Sequence, residues 1–348
     1  ITGLRFIDAY MQLVRSKTMP IRFGYTHYFG FEANSDPVSF YTRLGDMAGM
    51  GSDFLWMTGV GLSNVDSGPP MFCSTMPAPP EIKKREYCRN APGTEFEKGV
   101  YAAIRARHRI TVGHIYADKG LDYMFDTVER VMKDDPAITL DYIRSRRFSS
   151  DHCGFYPRPD QMPKIAHYNW MISCNGSIVE RSAPWLKTYG QQYAKWISPM
   201  RSLVNNGILT LYENEESWGN PNSPDTYLQG AMFLLTRKTK DGAVLAPEEA
   251  IDKVTLMKMM TVWASEYMLR KDELGTLEPG KWADYVVLNK DYFSVPTEEA
   301  YTVYPVLTAV AGKPVFWRSD FAAENGQQPV GPQLKYANIP KSDPSGAK

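Results

Sequence analysis

Six apolar, strand-like segments alternate with helical segments between residues 3 and 238, and this alternation limits the possible folds more than any other feature. The predicted strands are 21–29, 54–62, 110–117, 147–152, 169–175 and 207–213. The predicted helices are 3–17, 38–50, 95–109, 119–134, 159–168 and 226–238, and a further long helix is predicted to begin at Ala246-Pro-Glu-Glu249. Strands that alternate with helices form a parallel sheet covered by helices, so the fold class is α/β. Six units fall two short of a closed (β/α)8 TIM-type barrel.

The organisation changes near residue 272. A turn-rich run over 274–288 leads into a strand, and 303–317 reads as two strands around an Ala-Gly-Lys-Pro turn. We therefore divide the chain into a barrel portion over 1–272, a small β unit over 273–318, and a surface arm or tail over 319–348. The last segment is rich in Pro, Gly, Gln, Ser and Lys, a composition that favours little regular structure.

Composition excludes several classes of partner. Lys+Arg and Asp+Glu both number 39, so the chain lacks the net positive charge that nucleic-acid and anionic-membrane proteins usually carry. No run of about 18 apolar residues occurs, so we expect no membrane-spanning helix. The four cysteines form no C-x-x-C pair. Cys73 and Cys88 share one Pro-rich loop where a disulfide can form, but free thiols in a reducing compartment fit equally well, and we favour a cytoplasmic location.

Two histidines lie where predicted strands end. His114 belongs to the run Thr111-Val-Gly-His-Ile-Tyr-Ala-Asp118, and His152 belongs to Arg147-Phe-Ser-Ser-Asp-His-Cys153. The carboxyl ends of parallel strands meet at one edge of the sheet, where α/β folds place their functional sites. His114 and His152 are therefore candidates for a common site.

A structural role is the simpler interpretation for the other polar residues near these runs. A histidine at a strand end is usually a hydrogen-bonded structural residue, and we keep that interpretation for His27, His108 and His167. His108 lies among arginines at a helix end, where we expect a solvated basic cluster. Asp118 can belong to the same site, but it can equally have a structural role, because an acid is favourable in the first turn of the helix that follows.

Several motifs resemble those of one enzyme family. Gly275-Thr-Leu-Glu-Pro-Gly-Lys-Trp-Ala-Asp-Tyr-Val-Val-Leu288 resembles the segment with which amidohydrolase-superfamily enzymes pass from a metal-binding barrel into a β-sandwich. The end of that sandwich is similar to the stretch 307–315. His114-Ile-Tyr-Ala-Asp118 resembles the His-x-x-Gly-Asp motif of the branch that includes N-substituted formamide deformylases, and Asp151-His152 resembles its Glu-His pair. The resemblance extends from about residue 50 to 318.

The resemblance implies a (β/α)8 barrel that holds one or two divalent metals at its strand ends, with a C-terminal β-sandwich portion. The family's ligands are His-x-His on strand one, a carboxylated lysine on strand four, histidines on strands five and six, and an aspartate on strand eight. His114 and His152 match strands five and six and are the implied metal ligands. Counting back from His114 leaves strands one and two outside this chain. We therefore expect an upstream segment or a separate chain to complete the barrel.

This sequence departs from the family pattern in two places. Where the branch has its strand-four lysine, this chain reads Gly59-Val60-Gly61. Because no lysine is present to bridge two ions, we expect one ion, with zinc the preferred identity. Where the strand-eight aspartate is expected, the chain reads Glu213-Asn214-Glu215. Glu215 is the simplest replacement, or Glu213 if the register shifts by two, and either would carry protons during catalysis.

The implied activity is hydrolysis of a carbon–nitrogen bond in an amide, formamide or cyclic amide, with water activated by the metal. The aromatic residues between 185 and 218 would favour an aromatic or apolar substituent on this small-molecule substrate. Two alternatives stay open. One is a single-metal lyase of the same superfamily, a decarboxylase or hydratase. The other is a non-catalytic subunit or degenerate paralogue that binds a partner through the 67–93 loop. We also expect the protein to be an oligomer.

Overall fold

A parallel sheet forms the centre of the protein. The computed structural model describes residues 4–28, 36–62, 64–176, 182–214 and 227–333. The parallel strands are Phe23–Tyr28 (β1), Leu55–Leu62 (β2), Ile110–Ala117 (β3), Ser149–Phe155 (β4), Met171–Asn175 (β5) and Thr210–Glu213 (β6). Each strand pairs with the next one in the chain, in the order β1-β2-β3-β4-β5-β6. All six strands predicted from the sequence are present, and the α/β class with a parallel sheet is confirmed.

Helices follow the strands and cover the sheet. They are Leu4–Arg15 (α1), Pro37–Leu44 (α2), Pro80–Lys83 (α3), Glu95–Arg105 (α4), Asp118–Asp134 (α5), Leu140–Arg146 (α6), Met162–His167 (α7), Ala183–Tyr189 (α8), Met200–Asn205 (α9), Tyr227–Thr236 (α10), Lys253–Met260 (α11), Val262–Tyr267 (α12) and Ser319–Glu324 (α13). Short 3-10 turns occupy Pro159–Gln161, Gln191–Trp196, Pro247–Glu249 and Thr297–Thr302.

Local sequence signals fix several helix starts. The Thr94 hydroxyl accepts a hydrogen bond from the Glu97 amide at 3.1 Å, which satisfies one of the free N–H groups at the start of α4. The Asp252 carboxylate does the same for the Thr255 amide at 2.7 Å, so α11 begins at Lys253. These caps place the helix boundaries that hydrophobic periodicity alone leaves undefined.

Two predicted helices differ from the structure. The helix expected over 38–50 ends at Leu44, because Gly45 turns the chain into the left-handed region at φ +68°. The long helix expected after residue 246 is a 3-10 turn followed by two short helices, α11 and α12, which meet at Thr261 with φ −126° and ψ −88°. The aromatic-rich stretch over 183–205 contains α8, a 3-10 turn and α9.

Polar groups fill part of the interior next to the first three strands. The hydroxyl of Thr26 on β1 lies 3.0 Å from that of Thr58 on β2 and 2.8 Å from that of Thr111 on β3, and all three side chains are buried. Each hydroxyl can donate one hydrogen bond and accept others, so the three satisfy one another without water. Because their hydroxyl groups are hydrogen-bonded, these three polar side chains can be buried between the strands.

A buried arginine fastens the segment before α9. The guanidinium of Arg237 is fully buried and donates to the carbonyl oxygens of Leu245, Ser198 and Ile197 at 2.9, 2.9 and 2.8 Å. The planar fork of arginine can reach three fixed acceptors at once, whereas an ammonium group cannot match that geometry. Arg237 therefore joins the end of α10 to the chain that leads into α9.

A separate three-stranded antiparallel sheet follows residue 284. Its strands are Tyr285–Leu288 (β7), Pro305–Val310 (β8) and Lys313–Trp317 (β9), in that order. Arg22 ties it to the parallel sheet, since its guanidinium lies 2.7 Å from the Asp284 carboxylate and stacks on the Trp282 ring at 3.8 Å. Helix α13 forms the beginning of the segment expected to be an arm. A second layer of a β-sandwich stays a prediction.

The Pro-rich loop over 67–93 is fixed by the start of α5. The buried Asp118 carboxylate accepts hydrogen bonds from the Ser74 hydroxyl at 2.9 Å and the Thr75 amide at 3.1 Å, and pairs with Arg158 at 2.6 Å. Asp118 therefore anchors the loop as well as standing at the first position of the helix.

All four cysteines are paired. Cys73 is bonded to Cys88 within the loop, and Cys153 is bonded to Cys174 across β4 and β5. Disulfides persist in oxidising compartments and are rare in the cytosol, so this pairing does not support the cytoplasmic expectation. Among the residues that the structure describes, none of the helices is both long enough and apolar enough to cross a membrane.

Candidate metal centre

Four side chains meet from the middle of β3, the middle of β4 and the last residue of β6. The rings of His114 and His152 lie edge to face with their centroids 4.1 Å apart. A nitrogen of His152 and one carboxylate oxygen each of Asp151 and Glu213 lie within 4.8 Å of one another, close enough to hold a single metal ion. The sequence predicted that His114 and His152 converge, and their positions agree with it. Their role as metal ligands stays a prediction.

The backbone of β4 explains how two adjacent residues reach one site. In a regular strand, neighbouring side chains point to opposite faces. His152 and Cys153 instead adopt left-handed conformations, with φ of +79° and +54°, and the pairing of β3 with β4 shifts register just beyond His152. Residues other than glycine rarely adopt this conformation, and such strain is concentrated at functional sites. The turn allows Asp151 and His152 to face the same centre.

Glu213 holds His152 in place. Its Oε1 accepts a hydrogen bond from His152 Nδ1 at 2.6 Å, and its Oε2 accepts one from the His152 amide at 3.1 Å and one from the Ser173 hydroxyl at 2.9 Å. Burial opposes ionisation of this carboxyl, but attraction to His152 and these hydrogen bonds outweigh it, so the pKa of Glu213 lies below its ordinary value. As a carboxylate Glu213 can only accept, so Nδ1 of His152 carries the proton.

That proton assignment leaves Nε2 of His152 directed at the centre. Nε2 lies 4.0 Å from Oδ1 of Asp151. A carboxylate that accepts from one ring nitrogen while the other nitrogen faces a cation site is the usual arrangement around metal-binding histidines. His152 is therefore oriented as a ligand would be.

His114 is the second imidazole of the centre. Partial burial of the ring, together with the neighbouring His152, lowers the pKa of His114 to about 4, so the ring is neutral at neutral pH. Among the described residues its Nδ1 atom is buried without a hydrogen-bond partner. A neutral imidazole with a buried, unsatisfied nitrogen is the form that binds a metal.

Tyr116 borders both imidazoles. Its ring centroid lies 5.2 Å from that of His114 and 4.8 Å from that of His152. Trp185 and Tyr189, expected beside a substrate pocket, pack against Phe72, the first at 5.9 Å and the second at 5.3 Å between ring centroids. Both rings therefore contribute to the packing of the loop, and their place beside a substrate stays a prediction.

The remaining predicted residues lie elsewhere. Glu215, the simplest candidate for the proton carrier, falls in 215–226, outside the described residues, as does Trp218. His108 is buried rather than solvated, with Nε2 2.9 Å from the carbonyl oxygen of Tyr41, and has the structural role assigned to it. The sequence signals Asp151 only through the resemblance of Asp151-His152 to the Glu-His pair of the family.

Comparison with known proteins identifies a family and several relatives. Residues 62–316 match the amidohydrolase family. The chain is 29% identical over 122 residues to an N-substituted formamide deformylase of Arthrobacter pascens, a match that covers 35% of this chain and 22% of that protein. It is 28% identical over 93 residues to a 5-methylthioadenosine/S-adenosylhomocysteine deaminase of Thermodesulfovibrio yellowstonii, which covers 27% of this chain and 20% of that protein.

A solved structure shares the fold. It is an uncharacterized metal-dependent hydrolase of Pyrococcus horikoshii, with a TM-score of 0.64 and 17% identity, and the match covers 84% of this chain and 55% of that one. The chain thus spans about half the length of this protein, and the curated relatives match over about a fifth of theirs. Since the family match extends over more than half of its 348 residues, the chain belongs to the amidohydrolase family.

Proposed function

We propose that the protein is a metal-dependent hydrolase that cleaves a carbon–nitrogen bond in a small amide, formamide or cyclic amide with an aromatic or apolar substituent. The observation that carries this proposal is the meeting of four side chains from β3, β4 and β6, which are His114, His152, Asp151 and Glu213. The names of both curated relatives, a deaminase and a deformylase, support it, because each reaction breaks a carbon–nitrogen bond.

The residues present fit a divalent cation. Two ligands bound to one zinc ion by bonds of about 2.1 Å at a tetrahedral angle lie roughly 3.4 Å apart. Asp151 Oδ1 and His152 Nε2 are 4.0 Å apart, so a shift of several tenths of an ångström would complete that geometry. Imidazole nitrogen and carboxylate oxygen together suit zinc or a similar borderline ion. Because Gly61 offers no side chain where the family has its lysine, we propose one ion rather than two.

The side chains would then divide the work. A divalent ion in this centre supplies Lewis-acid activation of water near neutral pH. His114, His152 and Asp151 would hold the ion, and Glu213 would fix a proton of His152 on Nδ1, with Nε2 directed at the ion. Glu213 already accepts three hydrogen bonds, which limits its capacity to accept a proton from the reacting water. Glu215 therefore stays the preferred proton carrier in this proposal.

Metal analysis and a substrate panel test the proposal together. Purified protein should contain about one zinc, manganese or iron per chain and should release amine from N-aryl or N-alkyl formamides and cyclic amides. His114→Ala and His152→Ala should each remove most of that activity. His167→Ala, a change at an exposed histidine outside the centre, is the matched control and should keep it.

Other outcomes would select the alternatives. Release of carbon dioxide in place of amine would identify a lyase. Active protein without stoichiometric metal would refute the metal-dependent mechanism. Biological function that survives both histidine changes would favour a non-catalytic subunit.

We further propose that two additional strands complete an eight-stranded barrel, supplied by an upstream segment or a separate chain. In the described part of the chain, β1 and β6 are the edges of the parallel sheet, so each has one side available for pairing. Co-purification followed by mass measurement of every component tests this. Full activity from a single, monomeric 39.4 kDa chain would contradict it.

A further inference from the structure

The disulfide between Cys153 and Cys174 lies beside the candidate metal centre. Cys153 directly follows His152, and its Cα atom is 4.8 Å from that of Cys174. Cys174 lies between Ser173, which donates to Glu213, and Asn175, which pairs with Glu213 in the sheet. The bond therefore joins the strand that carries His152 to the strand that supports Glu213.

Backbone pairing does not make this connection by itself. Strands β4 and β5 pair at Ser149 with Met171 and at Ser150 with Ile172, and these pairs precede the left-handed turn. At the turn, the Cys153 carbonyl accepts hydrogen bonds from the Ser198 amide and hydroxyl at 3.0 and 3.2 Å. Beyond the last strand pair, the disulfide is thus the covalent link that holds the turn against β5.

We propose that the Cys153–Cys174 disulfide is a positioning element that holds His152 against Glu213, and that its reduction weakens metal binding. Reduction breaks the sulfur–sulfur bond, and two electrons and two protons from a dithiol yield two cysteine thiols while the dithiol becomes a cyclic disulfide. The metal part of this inference rests on the proposed function. It also places the working protein in an oxidising compartment.

The second disulfide supplies an internal control. Cys153 and Cys174 are fully buried, whereas Cys88 is partly exposed, so a mild reductant should open Cys73–Cys88 first. The sequence separations are 21 and 15 residues, so loop closure predicts similar losses of stability when either bond is removed. If loss of Cys153–Cys174 weakens metal binding and loss of Cys73–Cys88 does not, a general loss of stability cannot explain the difference.

The test compares two double variants, Cys153→Ser with Cys174→Ser and Cys73→Ser with Cys88→Ser. Zinc affinity is measured by competition with a chromophoric chelator, and histidine ring resonances are recorded by NMR in metal-free protein. The first variant should bind zinc at least about ten-fold more weakly, which is the effect expected when a group that orients a metal ligand is lost. It should also shift the NMR resonances of His114 and His152. The second should leave zinc affinity within about two-fold of the wild type.

Equal effects of the two variants, or no effect of the first, would overturn the proposal. If the serine variant does not fold, Cys153→Ala with Cys174→Val replaces it, and stepwise reduction of wild-type protein followed by mass spectrometry gives the same comparison. A wild type that binds no zinc refutes the proposed function but leaves the NMR comparison intact. Unchanged histidine resonances in the folded first variant would then refute the positioning role.

Discussion

Replacing Glu213 with glutamine tests how His152 is oriented while changing almost nothing in shape. The carboxylate accepts three hydrogen bonds, at 2.6 Å from His152 Nδ1, 3.1 Å from the His152 amide and 2.9 Å from the Ser173 hydroxyl. Glutamine keeps one acceptor oxygen and places an NH2 group at the other. In one orientation the NH2 group faces Nδ1–H, and in the other it faces the His152 amide, so two donors meet in both cases.

The size of the effect follows from those contacts. Loss of a hydrogen bond to a charged group costs about 1.5–3 kcal/mol in the free energy of unfolding. If the ring moves its proton to Nε2 to relieve the contact, the nitrogen that faces the cation can no longer bind it. Loss of such a partner weakens metal affinity by about 10- to 100-fold, which equals about 1.4–2.7 kcal/mol.

Urea unfolding and zinc competition on Glu213→Gln measure the two quantities. Glu249→Gln is the matched control, because the buried Glu249 carboxylate accepts from the amide of Ser202, at 2.9 Å, and from its hydroxyl. Both variants should lose stability, but only Glu213→Gln should lose zinc affinity. Zinc binding by Glu213→Gln within about two-fold of the wild type, or an equal loss in Glu249→Gln, would refute the orienting role of Glu213.

Three further predictions concern stability. Burial lowers the pKa of His108 below its ordinary 6.5. The unfolded chain therefore binds more protons at this residue, and the free energy of unfolding falls as the pH drops below that value. His108→Gln should weaken this pH dependence, measured by urea unfolding between about pH 5 and about pH 8. Arg237→Lys should cost about 3 kcal/mol in urea unfolding, since an ammonium group cannot reach all three carbonyls. Asp118→Asn removes a buried carboxylate that accepts from the Thr75 amide and from Arg158, which keeps Asp122 and Asp160 as partners, and should cost about 1.5–3 kcal/mol and speed protease cleavage within 67–93.

The strands were predictable because strand-like segments alternate regularly with helical ones, and because several of the strands are apolar runs. Burial of β2 on both faces of the parallel sheet produces a nearly continuous hydrophobic sequence, which pattern analysis detects readily. Helix ends were less certain. Gly45 gave a usable signal for the end of α2, since glycine commonly closes helices, but Thr261 carries no glycine or proline to mark the break between α11 and α12.

The candidate centre was predictable only in part. His114 and His152 were found because each stands late in a strand-like run of the sequence, and neighbouring parallel strands bring such positions together. The structure extends β3 to Ala117 and β4 to Phe155, so both histidines lie inside their strands rather than at the ends. Asp151 was not selected as a candidate, because alternation along a strand directs it away from His152. The left-handed turn that removes this obstacle depends on packing, and it falls on His152 and Cys153 rather than on the adjacent Gly154, where the sequence would suggest it. The pairing of Cys153 with Cys174 was hidden for the same reason, since it requires the register of two parallel strands.

The charges of the centre are a further reason for which we propose a single divalent ion. His114 is neutral at neutral pH, and the Glu213 carboxylate accepts a hydrogen bond from Nδ1 of His152, so that Nε2 faces the centre. The carboxylates of Asp151 and Glu213 together would balance the charge of one divalent ion in a partly buried site, where an unbalanced charge is costly. A second ion would need further negative ligands. The family obtains one from its carboxylated lysine, and Gly61 cannot provide it, so the missing side chain and the charge balance support the same stoichiometry.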